Sequence, residues 1–214
     1  MTRPLLICDC DEVLMQFAQP FAAHLDEEHG LELKFRSFAL SGNIHRKDDG
    51  SEVEGSEVSG LVADFFRRSM HRQIPVPGAA DALERLSSSY DIVILTNIED
   101  EFQPHRREQI RAAGMDYEVY CNRGPKGPAL ERLITDHSAR QAVFVDDLPP
   151  HHSSVAKRSP FVHRLHMVAD PVLRELIPPA EDADARIDEW SEAVPYLEAL
   201  VRDNRLALAP DART

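Results

Sequence analysis

Asp9 and Asp11 stand two residues apart, directly after the apolar run Leu5-Leu6-Ile7-Cys8. Carboxylates so placed can divide labour. One can attack phosphorus and form an aspartyl-phosphate; the other can protonate the leaving oxygen and then activate water. Two further polar pairs end apolar runs of the same kind: Thr96-Asn97 after Asp91-Ile92-Val93-Ile94-Leu95, and Asp146-Asp147 after Gln141-Ala142-Val143-Phe144-Val145. Asp146, with Asp9, can hold a magnesium ion through oxygen ligands. Lys126, in Arg123-Gly124-Pro125-Lys126-Gly127-Pro128, precedes a predicted helix. The ion and Lys126 would neutralise charge on a transferring phosphoryl group, whose oxygens Thr96 and the amide of Asn97 can hydrogen-bond.

Each piece alone has a plainer reading. Asp9 and Asp11 are also what a solvated loop carries, and Asp146-Asp147 before Leu148-Pro149-Pro150 reads as a turn or helix N-cap. A lone lysine is a surface residue, and a lone threonine is a strand-end hydroxyl. Their placement favours chemistry. Short runs rich in Val, Ile and Leu are strands buried on both faces of a parallel sheet, and such a sheet gathers its strand C-termini on one ligand-binding edge.

The elements that must position these residues follow from periodicity. Leu14, Phe17, Ala18, Phe21, Ala22 and Leu25 recur at helical spacing, with Gly30 as a stop and Pro20 as a kink or a start. Residues 36–57 are polar and read as loop. Val58, Leu61, Val62, Phe65 and Phe66 mark a second helix, whose phenylalanines read as core, and Pro75-Val76-Pro77-Gly78 marks a boundary. Helices over 79–86, 101–112 and around Leu130–Ile134 then alternate with strands at 91–95, Tyr117–Cys121, 141–145 and Phe161–Val168. Alternation of this kind predicts an α/β, Rossmann-like parallel sheet with helices on both faces. Residues 178–186 read as a linker. Ile187, Trp190, Val194, Leu197 and Val201 share a helix face that Pro195 divides into two short helices, and residues 207–214 read as frayed.

The chain has 214 residues, 43% of them hydrophobic and 29% charged, which suits a globular domain with a sizeable core. No apolar run approaches the roughly 20 residues of a membrane span. Three cysteines without C-x-x-C spacing argue against a disulfide framework and a cysteine zinc site, which makes a cytoplasmic setting the expectation. The net charge of −13 opposes binding to a nucleic acid polymer or an anionic membrane.

Taken in order, these motifs resemble those of the haloacid dehalogenase-like hydrolase superfamily. The resemblance spans about residues 4–168. Leu6-Ile7-Cys8-Asp9-Cys10-Asp11-Glu12-Val13-Leu14 stands for the first motif, Ile94-Leu95-Thr96-Asn97 for the second, Lys126 for the third and Val143-Phe144-Val145-Asp146-Asp147 for the fourth. The resemblance implies Asp9 as nucleophile and metal ligand. It implies Asp11 as general acid/base, with its carbonyl as a second ligand. Asp146 would anchor Mg2+ with Asp147 assisting, and Thr96, Asn97 and Lys126 would bind the phosphoryl group. It also implies a mostly helical cap over residues 15–77, a Rossmann-like core over 1–14 and 78–177, and a C-terminal linker, helix and tail over 178–214. Dehalogenase members lack an aspartate at the position of Asp11, so the chain looks like a phosphatase. One departure is Glu12, where many phosphatase members carry glycine.

The expected activity is therefore magnesium-dependent hydrolysis of a small phosphorylated metabolite. A phosphotransferase or mutase on the same fold, and a non-catalytic ligand- or protein-binding module, are the alternatives. His151 and His152, adjacent on a helix, point in different directions and suit no shared ion, although one of them can border the pocket. His163 and His166 face opposite sides of a strand. Cys8 reads as core.

Overall fold

The computed structural model describes residues 3–36 and 39–210. Strand β1 (Leu5–Cys8) leads into an insert made of α1 (Ala18–His29), β2 (Leu31–Leu33), β3 (Ile44–Arg46) and α2 (Gly55–Arg68). The chain then alternates: α3 (Ala79–Leu86), β4 (Asp91–Thr96), α4 (Gln103–Ala112), β5 (Glu118–Cys121), α5 (Gly127–Asp136), β6 (Ala142–Asp146), α6 (Pro149–Arg158), β7 (His163–His166) and α7 (Pro171–Leu176). It closes with β8 (Ala185–Arg186) and α8 (Trp190–Arg202). Six strands form one sheet in the order β5-β4-β1-β6-β7-β8, and every pairing is parallel. This is the Rossmann-like α/β arrangement that the alternation predicts. Chain order reverses across β1, which puts the crevice for a ligand at its C-terminal end.

Both faces of the sheet are covered, which is why β1, β4 and β6 are apolar at successive positions. Leu6, Cys8, Ile94, Val143 and Val145 pack with Leu83 of α3 and Trp190 and Leu197 of α8. The alternate residues Leu5, Ile7, Val93, Leu95 and Phe144 pack with Leu130 and Leu133 of α5 and Val155 of α6. The insert has its own cluster, with Phe21, Leu25, Val58 and Phe65 joined by Ile98 and Phe102 from beyond β4.

Several boundaries differ from the sequence pattern. The helix begins at Ala18, not Leu14, because Leu14 and Met15 both donate to the Cys10 carbonyl in a tight turn. Pro20 falls in the first turn of α1, where its missing N–H has no intrahelical partner to lose. Gly30 ends α1 at φ 65°. Within the expected loop at 36–57, β3 pairs antiparallel with β2; three-residue strands leave too short an alternation to read. Residues 37 and 38 of that loop lie outside the described residues.

Nearer the C-terminus, β7 is shorter than the expected strand at Phe161–Val168, and α8 is one helix with Pro195 inside it. Trp190, Val194, Leu197 and Leu200 anchor α8 on both sides of the proline. The expected linker at 178–186 carries β8, held by ion pairs between Arg164 and Asp184 and between Arg186 and Asp188. In the tail expected to fray, the Ala209 N–H donates to the Arg140 carbonyl at 2.7 Å, and residues 211–214 lie outside the described residues. Among the described residues no helix is long and apolar enough to cross a membrane.

Candidate active site

Register brings the predicted aspartates together. Cys8 lies between Ile94 of β4 and Val145 of β6. Asp9, the next residue, therefore comes level with Asp146 at the end of β6, and its N–H donates to the Val145 carbonyl at 2.8 Å. One oxygen each from Asp9, Asp146 and Asp147 lies within 4.8 Å of the others, and all three residues are buried. Lys126 is the residue before α5; its fully buried Nζ is 2.5 Å from Asp9 Oδ1 and 2.7 Å from Asp146 Oδ2. Gly127 lets the start of α5 pack closely on α6, because a Cβ there would collide with the Ser154 carbonyl.

The electrostatics reflect three carboxylates and one ammonium out of water. Burial pushes the Asp9 carboxyl up to about 7 although Lys126 pulls it down, and Asp146 and Asp11 add to the rise. Burial also drives Asp147 well above the usual carboxylate range, aided by Asp146, Asp9 and Glu12. At Asp146 burial acts upward, but Lys126, His151 and His152 together hold the carboxyl below its ordinary value. Burial opposes the Lys126 ammonium, yet Asp146 and Asp9 hold its pKa above the ordinary lysine range. Burial and mutual repulsion thus favour protons on Asp9 and Asp147, and only with all three carboxylates ionised does the cluster carry more negative charge than one lysine balances. Its all-oxygen donor set is that of a hard divalent cation.

Around this edge lies a cavity of about 220 Å³. Asp9, Asp11, Asn97, Lys126, Asp147 and His151 line its floor, while Phe17, Phe35, Leu40, Val62 and Phe66 come from the insert side. Phe66 thus borders the cavity as well as packing in the insert core. Larger clefts of about 640 and 520 Å³ lie elsewhere, and neither is lined by Asp9, Lys126 or Asp147.

Thr96 is fully buried at the end of β4, its hydroxyl has no hydrogen-bond partner among the described residues, and it does not line the cavity. The Asn97 side chain is already engaged: Nδ2 donates to the Gly124 carbonyl at 2.9 Å, and Oδ1 accepts from Asn122 at 2.8 Å. It ties the β4 end to the loop before Lys126.

Asp11 lines the cavity, but its carboxylate turns away from the other three. Arg106 Nη2 donates to its Oδ1 and Oδ2 at 2.9 and 3.1 Å, and Gln73 Nε2 donates to Oδ1 at 2.7 Å. Arg106 is fully buried, with its guanidinium 5.4 Å over the Phe66 ring. Sequence reasoning missed both donors. The signal was there for Arg106: Phe102, Arg106 and Ile110 follow at i, i+4 and i+8, so a charge sits on an apolar helix face and needs a partner. Gln73 carried no comparable signal.

Glu12 explains its own departure. It adopts φ 61°, a conformation that favours glycine, so the turn is kept. Its buried carboxylate turns toward the insert, and Oε1 accepts from the Phe17 and Ala18 N–H groups at 2.8 and 2.5 Å, capping α1. Burial raises its pKa to about 7 despite those two bonds.

Two histidines buttress the aspartate pair from behind. His152 Nε2 lies 3.0 Å from the Asp146 carbonyl. His166 Nδ1 accepts from the Ala180 N–H at 3.1 Å, so its Nε2 carries the proton and donates to the Asp147 carbonyl at 2.8 Å. His151 instead borders the cavity, with Nε2 at 3.4 Å from Asn97 Nδ2. Cys8 is buried in the core, and burial pushes its thiol up, as it does for Cys10.

No protein-family model matches the sequence, and no curated protein does. Solved structures do match. A haloacid dehalogenase-like hydrolase from Streptococcus pneumoniae superposes with a TM-score of 0.63 at 15% identity, over 91% of this chain and 98% of that one. A D,D-heptose 1,7-bisphosphate phosphatase from B. bronchiseptica, complexed with magnesium and phosphate, matches with a TM-score of 0.55 at 13% identity, over 91% and 98%. An L-2-haloacid dehalogenase matches with a TM-score of 0.59 at 10% identity, over 92% and 100%. In its fold the chain is similar to the haloacid dehalogenase-like hydrolases.

Proposed function

We propose that this protein hydrolyses a small phosphomonoester with Asp9 as nucleophile and Mg2+ as cofactor. The observation that carries the reading is the buried cluster of Asp9, Asp146 and Asp147 on one strand edge with Lys126 set between two of them. Its excess negative charge and oxygen-only donors fit magnesium, which Asp9, Asp146, Asp147 and the Asp11 carbonyl would hold. Bound there, magnesium would neutralise charge on the phosphoryl group. Lys126 occupies Asp9 Oδ1, so Oδ2 is the attacking atom. The Oδ2–P bond forms as the P–O bond to the leaving group breaks, and Asp11, released from Arg106 and Gln73 and protonated from solvent before the step, gives that proton to the departing oxygen. Water then attacks phosphorus, the Asp9–P bond breaks, and Asp11 recovers a proton from the water. Thr96 and Lys126 bind the phosphoryl oxygens. Arg106 and Gln73 hold Asp11 at the cavity wall between steps.

Residues 15–77 serve as a cap over a core of residues 1–14 and 78–177. Phe17, Val62 and Phe66 would meet the leaving group, which favours one with an apolar face. The fold is shared with a dehalogenase, so it does not choose between phosphate and halide chemistry; Asp11 favours phosphate, because a proton carrier serves an alkoxide leaving group and a halide needs none. A panel of phosphomonoesters and 2-haloacids, assayed with magnesium and with a chelator, separates the two. Magnesium-dependent phosphate release without halide release is the expected result. Halide release, or phosphate release that survives chelation, overturns the reading.

A further inference from the structure

The outer side of the insert carries a second cluster that the chemistry above does not use. His24 and His29 of α1 and Asp64 of α2 bring one ligand atom each within 4.8 Å of the others. His24 is fully buried. Its Nδ1 lies 3.0 Å from the Ser69 hydroxyl, while its Nε2 is buried without a hydrogen-bond partner among the described residues. That Nε2 points at Asp64 Oδ2, 3.4 Å away, and His29 Nε2 is 3.1 Å from the same oxygen. Burial, with His29 next, lowers the pKa of His24 and so favours the neutral ring. In the tautomer whose Nδ1–H donates to the Ser69 hydroxyl, Nε2 turns a lone pair toward a carboxylate oxygen, an arrangement that a cation between them makes favourable.

We propose that His24, His29 and Asp64 bind a divalent transition-metal ion, with zinc the best chemical match. Two imidazoles and a carboxylate form a common three-ligand zinc set, and bonds of about 2.0–2.1 Å to a tetrahedral ion separate ligand atoms by about 3.3–3.4 Å. The spacings of 3.4 and 3.1 Å to Asp64 Oδ2 already approach that edge length. His29 and Asp64 are part-exposed, so the ion has an entry and water a fourth position. Arg68 stands 3.7 Å from Asp64 Oδ2 and is also paired with Glu28 at 2.9 Å, so it keeps a partner when the ion takes Asp64. The ion would clasp α1 to α2, the helix whose Val62 and Phe66 line the active-site cavity. The site shares no residue with the aspartate cluster.

The test uses the 214-residue chain without a histidine tag, loaded with zinc and desalted in millimolar magnesium, which on the reading above competes for the aspartate cluster. Zinc per chain and zinc affinity are measured for wild type, His29→Gln and Asp64→Asn; both substitutions are at part-exposed positions, so folding is checked by melting. Wild type should retain one zinc, and its melting temperature should rise with the metal. Loss of a direct ligand should weaken binding beyond the about 10–100-fold that loss of an outer-sphere partner causes, so both variants should bind more than about 100-fold more weakly and show no thermal response. Cobalt should give the intense visible absorption of a tetrahedral site in wild type alone. No retained zinc in wild type, or equal retention by folded variants, overturns the proposal.

Discussion

Asp11 and Asp9 differ in what their removal leaves behind. Asp11→Asn strands the fully buried Arg106 beside a neutral amide. Loss of one partner of a buried pair costs about 3–5 kcal/mol, and Asp11 is part-exposed, so the lower end of that range is expected. Asp9→Asn leaves Lys126 its second carboxylate, Asp146, and relieves repulsion, so stability should stay within about 1 kcal/mol of wild type. Urea unfolding of the two variants checks the order; equal losses would mean that Arg106 does not depend on Asp11. His166 gives the pH prediction. Burial lowers its pKa from 6.5 to about 4, and both ring nitrogens are committed as one donor and one acceptor. Between about pH 4 and 6.5 the unfolded chain binds a proton that the folded chain refuses. This contribution, on the order of 3 kcal/mol, is complete above pH 6.5 and is lost as pH falls toward 4. The difference in stability between wild type and His166→Gln should narrow or reverse as the pH is lowered from 7 to 5, and a constant difference would contradict it. At this scale the sequence reveals residues that end strands, because the strands were readable. Arg106, Gln73 and His166 act from other elements, and their roles exist only after packing.

The turn from β1 into α1 shows how an element is set by one side chain. Glu12 supplies the N-terminal cap that α1 otherwise lacks, since Phe17 has no capping side chain. It does so from a left-handed backbone position. Glu12→Ala loses the cap and keeps the unfavourable φ, whereas Glu12→Gly loses the cap and relieves it. The glycine variant should therefore be the more stable of the two by about 1 kcal/mol, read by chemical denaturation. An alanine variant as stable as the glycine one would show that the turn relaxes away from φ 61°. Strands buried on both faces and helices with a clear apolar stripe were legible as elements. The β2–β3 hairpin and β8 were not, because strands of two or three residues have no period to detect. Pro195 misled in the other direction: propensity divides α8, and packing of Trp190 and Leu197 holds it whole.

Across the whole molecule, residues from the first, fourth and sixth strands and from the start of α5 meet because parallel order gathers strand ends on one edge. That convergence was legible in the sequence, as was the sheet with helices on both faces. What covers the edge was less so. The apolar roof from Phe17, Val62 and Phe66 depends on how the insert folds back, and nothing in the local pattern encodes that return. A chain with net charge −13 that buries three of its carboxylates around one lysine maintains an arrangement with little value for stability alone. The central claim is that this arrangement makes Asp9 a nucleophile toward phosphorus. The most direct measurement compares initial rates of p-nitrophenyl phosphate hydrolysis by wild type and Asp9→Asn in saturating magnesium, with melting curves to confirm that both are folded. An amide cannot form the acyl phosphate, so a loss of more than about 1,000-fold is predicted. A folded Asp9→Asn protein within about tenfold of wild type would contradict the account.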